Sequence, residues 1–282
     1  MVKKTKNRKL FKKVTLKKGG RNKKLFQLKQ LIKYFKKPNL DNIKKIKNIL
    51  EQDKSVIDKK NVEKYSENYN TSTSDILTIA LFESKSNIEI LKILIEKFKE
   101  YLSEKNSDNK EDEYNTFINT KNRNHINPLN IAIYFANYKA VEILIENGAD
   151  VNINNRNRTP LHEAVDTLIL SIRNKRYKKE DKEIYYDNLY SIFELLIINN
   201  ADVTIKNFYG RTPLDNIKDY YNKGYEERDE ILSRFVELLE KAEKGEIGLK
   251  KMKMDALTFK RAKKNDSASD SDSASDSELE FM

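Results

Sequence analysis

The sequence predicts an all-α solenoid of about five helix-turn-helix units with short hairpin fingers. An apolar stripe with helical spacing recurs five times along the chain. The tetrapeptide Thr-Pro-Leu-His at residues 159–162 recurs with one change as Thr-Pro-Leu-Asp at residues 212–215. Each tetrapeptide follows a turn and a Gly-Ala-Asp or Asn-Ala-Asp sequence, at residues 148–150 and 200–202. Together these features indicate one structural unit that is repeated along the chain.

The apolar stripes have hydrophobic residues at positions i, i+3 and i+4, which lie on one face of an α-helix. Five stripes therefore predict five longer helices that each bury one face against a neighbour. The stripes are Ile46, Ile49, Leu50; Leu91, Leu94, Ile95; Val141, Leu144, Ile145; Phe193, Leu196, Ile197; and Phe235, Leu238, Leu239.

A shorter helix is predicted to precede the stripe in each of the last three units. Each begins with a capping residue whose side-chain oxygen accepts a backbone hydrogen bond, followed by proline at the first helical position, where the missing N–H costs nothing. Gly148 and Asn200 supply the left-handed residue that ends the longer helix. The capping pairs are Asn127 with Pro128, Thr159 with Pro160, and Thr212 with Pro213.

These motifs resemble the ankyrin repeat. In the best unit, Asn127 lies 21 residues before Gly148, which is the offset that a typical ankyrin repeat keeps between its threonine and its glycine. The lysine- and asparagine-rich composition is similar to that of ankyrin chains in large DNA viruses and intracellular parasites. The resemblance implies a non-enzymatic protein that mediates protein–protein interaction, with a host protein as the partner if the chain is viral.

The repeats are predicted to cover residues 25–245, with atypical capping units at both ends. Asp75 stands at the threonine position of a degenerate second unit that reads DILTIA. Two intervals exceed the ankyrin period, which predicts insertions near residues 99–120 and 170–188 that lengthen a helix or form a charged loop. The units are expected near residues 25–74, 75–126, 127–158, 159–211 and 212–245.

The resemblance also implies where a partner would bind, because ankyrin proteins generally use the groove lined by their short inner helices and finger tips. We interpret Phe208 and Tyr209 as an aromatic anchor at one tip; alternatively, one ring folds back onto the neighbouring finger. The other candidates are either contacts or ordinary solvated residues. They are Tyr134, Asn137, Glu163, Asp166 and Thr167 on the inner helices, and Arg156 and Arg158 in a finger.

The composition argues against catalysis and against a metal or cofactor site. The chain has no cysteine and two histidines, His125 and His162, and no carboxylate cluster lies beside a glycine-rich loop. The resemblance implies that His162 makes structural hydrogen bonds that steady the loop between repeats, and that Asp150 and Asp202 are structural turn residues. We therefore expect no enzyme activity and no cofactor.

The net charge of +11 is concentrated at one end, because residues 1–37 hold 16 lysines or arginines and no acidic residue. Residues 1–24 are predicted to be a disordered basic tail. Three interpretations of the tail are open: a nuclear or nucleolar localisation signal, a segment that contacts nucleic acid or an anionic surface, or neither of these. The alternative function is therefore a nucleic-acid or chromatin-associated protein bound through this tail.

The other end combines a basic linker at residues 246–264 with an acidic, disordered tail at residues 265–282. The cluster Lys260, Arg261, Lys263 and Lys264 resembles a nuclear import signal. Phosphorylation beside it would tune import or self-association of the tails; alternatively, the tail only solubilises the chain. Five serines have an acidic residue three positions later, as casein-kinase-type enzymes prefer: Ser267, Ser269, Ser273, Ser275 and Ser277.

No apolar run approaches the ~20 residues that span a bilayer, and the N-terminus lacks the apolar block of a secretory signal. Charged residues make up 35% of the chain, which suits a thin stack better than a thick globule. We expect a soluble intracellular monomer, cytoplasmic or nuclear, in a host cell if the chain is viral.

Overall fold

The computed structural model describes residues 21–69, 75–122, 126–154, 158–173, 179–221 and 229–247. These residues form twelve α-helices and one short 3-10 helix, without a strand, which confirms the all-α repeat fold. The chain divides into two compact units, residues 1–117 and residues 118–282. Each unit is described by itself.

The first unit contains two pairs of helices that match predicted stripes, together with three additional helices. The elements are α1 (Arg21–Phe35), α2 (Leu40–Gln52), a 3-10 helix (Lys54–Ile57), α3 (Lys59–Tyr69), α4 (Ile76–Glu83), α5 (Ile88–Glu104) and α6 (Lys110–Asn119), whose last two residues belong to the second unit.

The first unit stacks its helix pairs in chain order. Helix α1 packs on α2 and α4, and α2 and α4 both pack on α5, so the two pairs share one apolar interior. Leu28, Leu31 and Phe35 of α1 and Ile46 of α2 have no solvent exposure. The first described helix begins at Arg21, so residues 21–24, which were predicted to belong to the basic tail, are helical.

The described residues of the second unit form three helix pairs after the end of α6. In each pair an inner helix is followed by an outer helix, and the outer helix carries one of the predicted stripes. The elements are α7 (Pro128–Tyr134), α8 (Tyr138–Glu146), α9 (Pro160–Arg173), α10 (Lys179–Ile198), α11 (Pro213–Tyr221) and α12 (Asp229–Glu243).

Helix contacts in the second unit define two layers. The inner helices pack in the order α7, α9, α11, and the outer helices pack in the order α8, α10, α12. Phe193 of α10 and Phe235 of α12 are buried, and their rings meet edge to face at a centroid distance of 4.9 Å. The outer helices thus bury most of their stripe residues against neighbouring helices, as a helical solenoid requires.

The helix boundaries follow the predicted chemistry. Helices α7, α9 and α11 begin at the three predicted prolines, and the Asn127 side chain accepts a 2.8 Å hydrogen bond from the Asn130 N–H. Gly148 and Asn200 have φ angles of +89° and +68°, which confirms the left-handed residues after α8 and α10.

Thr159 and Thr212 use their hydroxyl groups differently. The Thr212 Oγ1 accepts from the Asp215 N–H at 3.1 Å, and the Asp215 carboxylate accepts from the Thr212 N–H at 2.9 Å. This reciprocal pair is a capping box. The Thr159 Oγ1 instead lies 2.9 Å from Nδ1 of His162, so its hydroxyl bonds a side chain.

Two asparagines connect successive turns in the second unit. Asn152 donates through Nδ2 to the Asn200 carbonyl at 2.8 Å and accepts through Oδ1 from the Asp202 N–H at 2.7 Å. Asn119 makes the same pair of bonds one turn earlier, to the carbonyl of Gly148 and the N–H of Asp150. Each amide therefore fixes the spacing between one turn and the next.

The described residues of the two predicted insertions are largely helical. Part of the first forms α6, where Phe117 stacks on Phe98 of α5 at a centroid distance of 3.8 Å. In the second insertion, residues 170–173 extend the C-terminal end of α9, and residues 179–188 extend the N-terminal end of α10. Residues 174–178 between them are not described. Extra length is therefore absorbed by helices that pack on the stack.

Candidate functional site

The finger between α10 and α11 ends in a tight turn organised by Asn207. The Asn207 N–H donates to the Arg211 carbonyl at 2.8 Å, and its Oδ1 accepts from the N–H groups of Tyr209 and Arg211 at 2.9 and 3.1 Å. Gly210, at a φ of +71°, permits the sharp reversal. The turn is therefore held by several hydrogen bonds of its own.

Phe208 and Tyr209 lie at the tip of this turn and point into solvent. Each side chain is 79% exposed, so neither ring folds back onto a neighbouring finger. The two rings contact each other edge to face, with centroids 5.7 Å apart and planes at 84°. A fixed turn thus presents a contiguous aromatic surface of two rings.

An open cleft of about 220 Å³ lies beside this turn, between α9 and α11. Its apolar side is formed by the aromatic pair together with Ile169 and Tyr220. The volume is below the roughly 300–1,000 Å³ of typical small-molecule pockets. The cleft suits one side chain of a larger molecule better than a whole metabolite.

Two arginine–aspartate ion pairs form the polar side of the cleft. Arg158 contacts Asp166, and Arg211 Nη1 lies 2.8 Å from Asp219 Oδ2. Both arginines directly precede a Thr-Pro-Leu motif, and each partner lies eight residues later, so the two pairs are equivalent in successive repeats. The Arg158–Asp166 pair brings together two of the residues predicted from the sequence.

Glu163 extends the first ion pair toward the interior. Its carboxylate lies 3.6 Å from the Arg158 guanidinium. Burial raises the pKa of Glu163, while the charge of Arg158 acts in the opposite direction. Arg158, Glu163 and Asp166 are therefore engaged with one another, and a partner at this position would meet a preformed cluster of charges.

His162 fixes one end of the finger to the preceding repeat. Its Nε2 lies 3.1 Å from the Arg211 carbonyl, which can only accept, so Nε2 carries the hydrogen and Nδ1 accepts from Thr159. Burial lowers the pKa of His162, which favours this neutral form. The arrangement supports the structural role expected for this histidine.

Of three other candidates, Asn137 and Thr167 differ from their predicted positions and Tyr134 does not. Asn137 does not lie on an inner helix: it caps α8, with Oδ1 accepting from the Ala140 N–H at 3.0 Å. Thr167 is buried in α9, so it does not face a groove. Tyr134, at the end of α7, is exposed as predicted and contacts the ring of Phe135.

Several predicted residues lie outside the described part of the chain. Arg156, His125 and residues 1–20 of the basic tail are not among the described residues. The proposed import signal and phosphorylation sites lie there too, because the described residues end at position 247.

Within the described ranges, no helix is long and apolar enough to cross a membrane. No group of three or more histidine, cysteine, aspartate or glutamate side chains is placed there to hold a metal ion.

Comparison with known families gives a match to ankyrin repeats (3 copies) over residues 84–172. The matched segment contains α5 to α8 and nearly all of α9. It ends at residue 172, where the second insertion lengthens the helices. No curated protein matches the chain.

Proposed function

Because this chain is an ankyrin-repeat protein, we propose that it is a non-enzymatic scaffold that binds a protein partner through the finger at residues 207–211 and the adjacent cleft. Ankyrin repeats generally mediate protein–protein interaction. The finer assignment rests on one observation, the exposed aromatic pair of Phe208 and Tyr209 on a hydrogen-bonded turn.

The rigidity of the turn favours binding. A partner that covers an already ordered loop does not have to offset the entropy of ordering it, so more of the contact energy appears as affinity. The Asn207 hydrogen bonds and the link from His162 to the Arg211 carbonyl hold the tip before any partner arrives. Aromatic side chains in such a position are typical interface anchors.

The surroundings of the two rings provide the rest of an interface. A buried anchor is commonly surrounded by polar groups that fix orientation. Here the Arg158–Asp166 and Arg211–Asp219 pairs flank the cleft with balanced charge. We propose that the cleft accepts one partner side chain while Phe208 and Tyr209 cover its neighbour, and that Tyr134 and Glu163 extend the contact along the inner helices.

The test is affinity purification of the full chain from cells, followed by quantitative mass spectrometry. The double variant Phe208→Ala/Tyr209→Ala is compared with the wild type and with Phe82→Ala, which removes an aromatic ring that is 56% exposed in the first unit. We expect at least one protein to be recovered with the wild type and with Phe82→Ala, and to be lost with the double variant.

A folding control separates loss of binding from loss of structure. Both rings at the tip are largely exposed, so the double variant should keep the circular dichroism spectrum and melting temperature of the wild type. If every recovered protein is retained by the double variant, the finger is not the binding surface.

A further inference from the structure

We propose that the exposed face of helix α1 binds single-stranded nucleic acid. This surface belongs to the first unit, whereas the finger at residues 207–211 belongs to the second, so the proposal adds a second binding activity to the chain. The proposal rests on two independent features of the face: cations without carboxylate partners, and an exposed aromatic ring among them.

The cations form a stripe on one side of the helix. Lys23 and Lys33 are exposed, as is Lys37 just after the helix ends. Their helical spacing places Lys23 and Lys33 away from the buried face that contains Leu28, Leu31 and Phe35. Lys37 lies in the turn that directly follows the helix. The hydrophobic packing of α1 therefore fixes the side of the helix on which Lys23 and Lys33 lie.

These lysines remain electrostatically uncompensated. Among the described residues, Lys23, Lys33 and Lys37 have no carboxylate within ion-pair distance. Elsewhere in the unit, lysines such as Lys54 and Lys97 each contact two glutamates. Helix α1 itself contains no acidic residue. The face thus carries a positive potential that favours a polyanion.

Phe26 lies within the same stripe and is 61% exposed. A large apolar ring in solvent, among lysines, is not explained by the packing of α1. Aromatic side chains beside a positive track are the usual platform on which unpaired bases stack. Charge and ring together favour a single strand, because the bases of a duplex are already stacked on one another.

The same observations argue against a membrane as the ligand. A helix that lies in a membrane interface inserts a broad apolar face below the headgroups. In α1 that face is used for folding, since Leu28, Leu31 and Phe35 are fully buried against other helices. Among the described residues of α1, Phe26 is the one largely exposed apolar side chain that could insert into a membrane. Phosphodiester groups are therefore the anion that this face fits better.

The test measures binding of the full chain to a fluorescent single-stranded oligonucleotide by anisotropy, across a range of salt concentrations. The variant Lys23→Gln/Lys33→Gln/Lys37→Gln should lower the magnitude of the slope of log Kobs against log [salt] by about 2. That value follows from roughly 0.7 for each phosphate contact that is lost.

A matched variant, Lys60→Gln/Lys64→Gln/Lys92→Gln, removes the same charge from exposed lysines of α3 and α5 and should leave the slope nearly unchanged. If both triple variants lower the slope equally, the binding reflects net charge alone and the proposal fails.

The aromatic ring has a separate signature. Phe26→Ala should weaken binding roughly fivefold or more without changing the salt slope, because stacking releases no counterions. Phe82→Ala, on α4, should have no effect on affinity.

Three further results would overturn the assignment. These are equal binding of a duplex of the same sequence, preference for phosphatidylserine vesicles or polyglutamate over the oligonucleotide, and unchanged affinity in Phe26→Ala.

Discussion

Replacement of Asn152 by alanine tests whether side-chain amides couple successive repeats. The Asn152 amide makes two hydrogen bonds, of 2.8 Å to the Asn200 carbonyl and 2.7 Å from the Asp202 N–H. At about 1 kcal/mol for each intramolecular hydrogen bond, their loss should lower the free energy of unfolding by about 2 kcal/mol. For a chain of this size that corresponds to a fall in Tm of roughly 4–8 °C.

Urea denaturation followed by circular dichroism measures this change as a shift of the midpoint at constant m-value. Asn119→Ala, which removes the equivalent pair of bonds to Gly148 and Asp150, should destabilise the protein by a similar amount. Asn48→Ala, at an exposed position of α2, is the matched control and should not destabilise. A loss of less than about 0.5 kcal/mol for Asn152→Ala would refute the reasoning, since it would show that water replaces both bonds at little cost.

Two further predictions concern pH and are read separately by hydrogen exchange of peptides from α9 and α4. Burial lowers the pKa of His162 from its ordinary 6.5, so the unfolded chain binds the proton more readily and α9 should lose protection as the pH falls below about 6.5. His162→Leu should abolish that dependence, and an unchanged profile would contradict the structural role. Burial raises the pKa of Asp75 from 3.8 to about 6, so the folded chain binds this proton more readily and α4 should gain protection as the pH falls from about 6 to about 4. Asp75→Asn should remove this gain. If the gain persists in the variant, another group is responsible for it.

The sequence predicted the local rules of the stack well because they act over a few residues. Proline at the first helical position, asparagine at the cap and a left-handed residue after the helix each depend on neighbours in the chain. Asn127, Pro128 and Gly148 therefore occupy their predicted roles. The five stripes were recognisable for the same reason, since helical periodicity is a local signal.

Helices α3 and α6 were not predicted because nothing in the repeat pattern requires them. Their sequences are rich in charge and asparagine, and lack a broad apolar stripe. Helix α6 is held by a distant contact, the stacking of Phe117 on Phe98 of α5. Such stabilisation arises from tertiary packing, which overrides weak helix propensity.

The candidate site likewise combines a feature that the local sequence predicts with one that depends on tertiary packing. The exposure of Phe208 and Tyr209 could be anticipated, because a turn between helices places its tip in solvent. The ion pair between Arg158 and Asp166 could not, because it joins residues eight positions apart across a finger and a helix. Its repetition by Arg211 and Asp219 was the one sequence signal that would have revealed it.

The two Thr-Pro-Leu motifs show how one position can either link repeats or end a series. His162 reaches past its own helix to the Arg211 carbonyl of the following finger, so it connects two repeats. Asp215, at the equivalent position, turns back to the Thr212 N–H and completes a capping box within its own helix. A carboxylate only accepts and could not bond a carbonyl on a further repeat. The exchange of histidine for aspartate therefore removes the connection in the repeat whose helices, α11 and α12, are the last of the described stack.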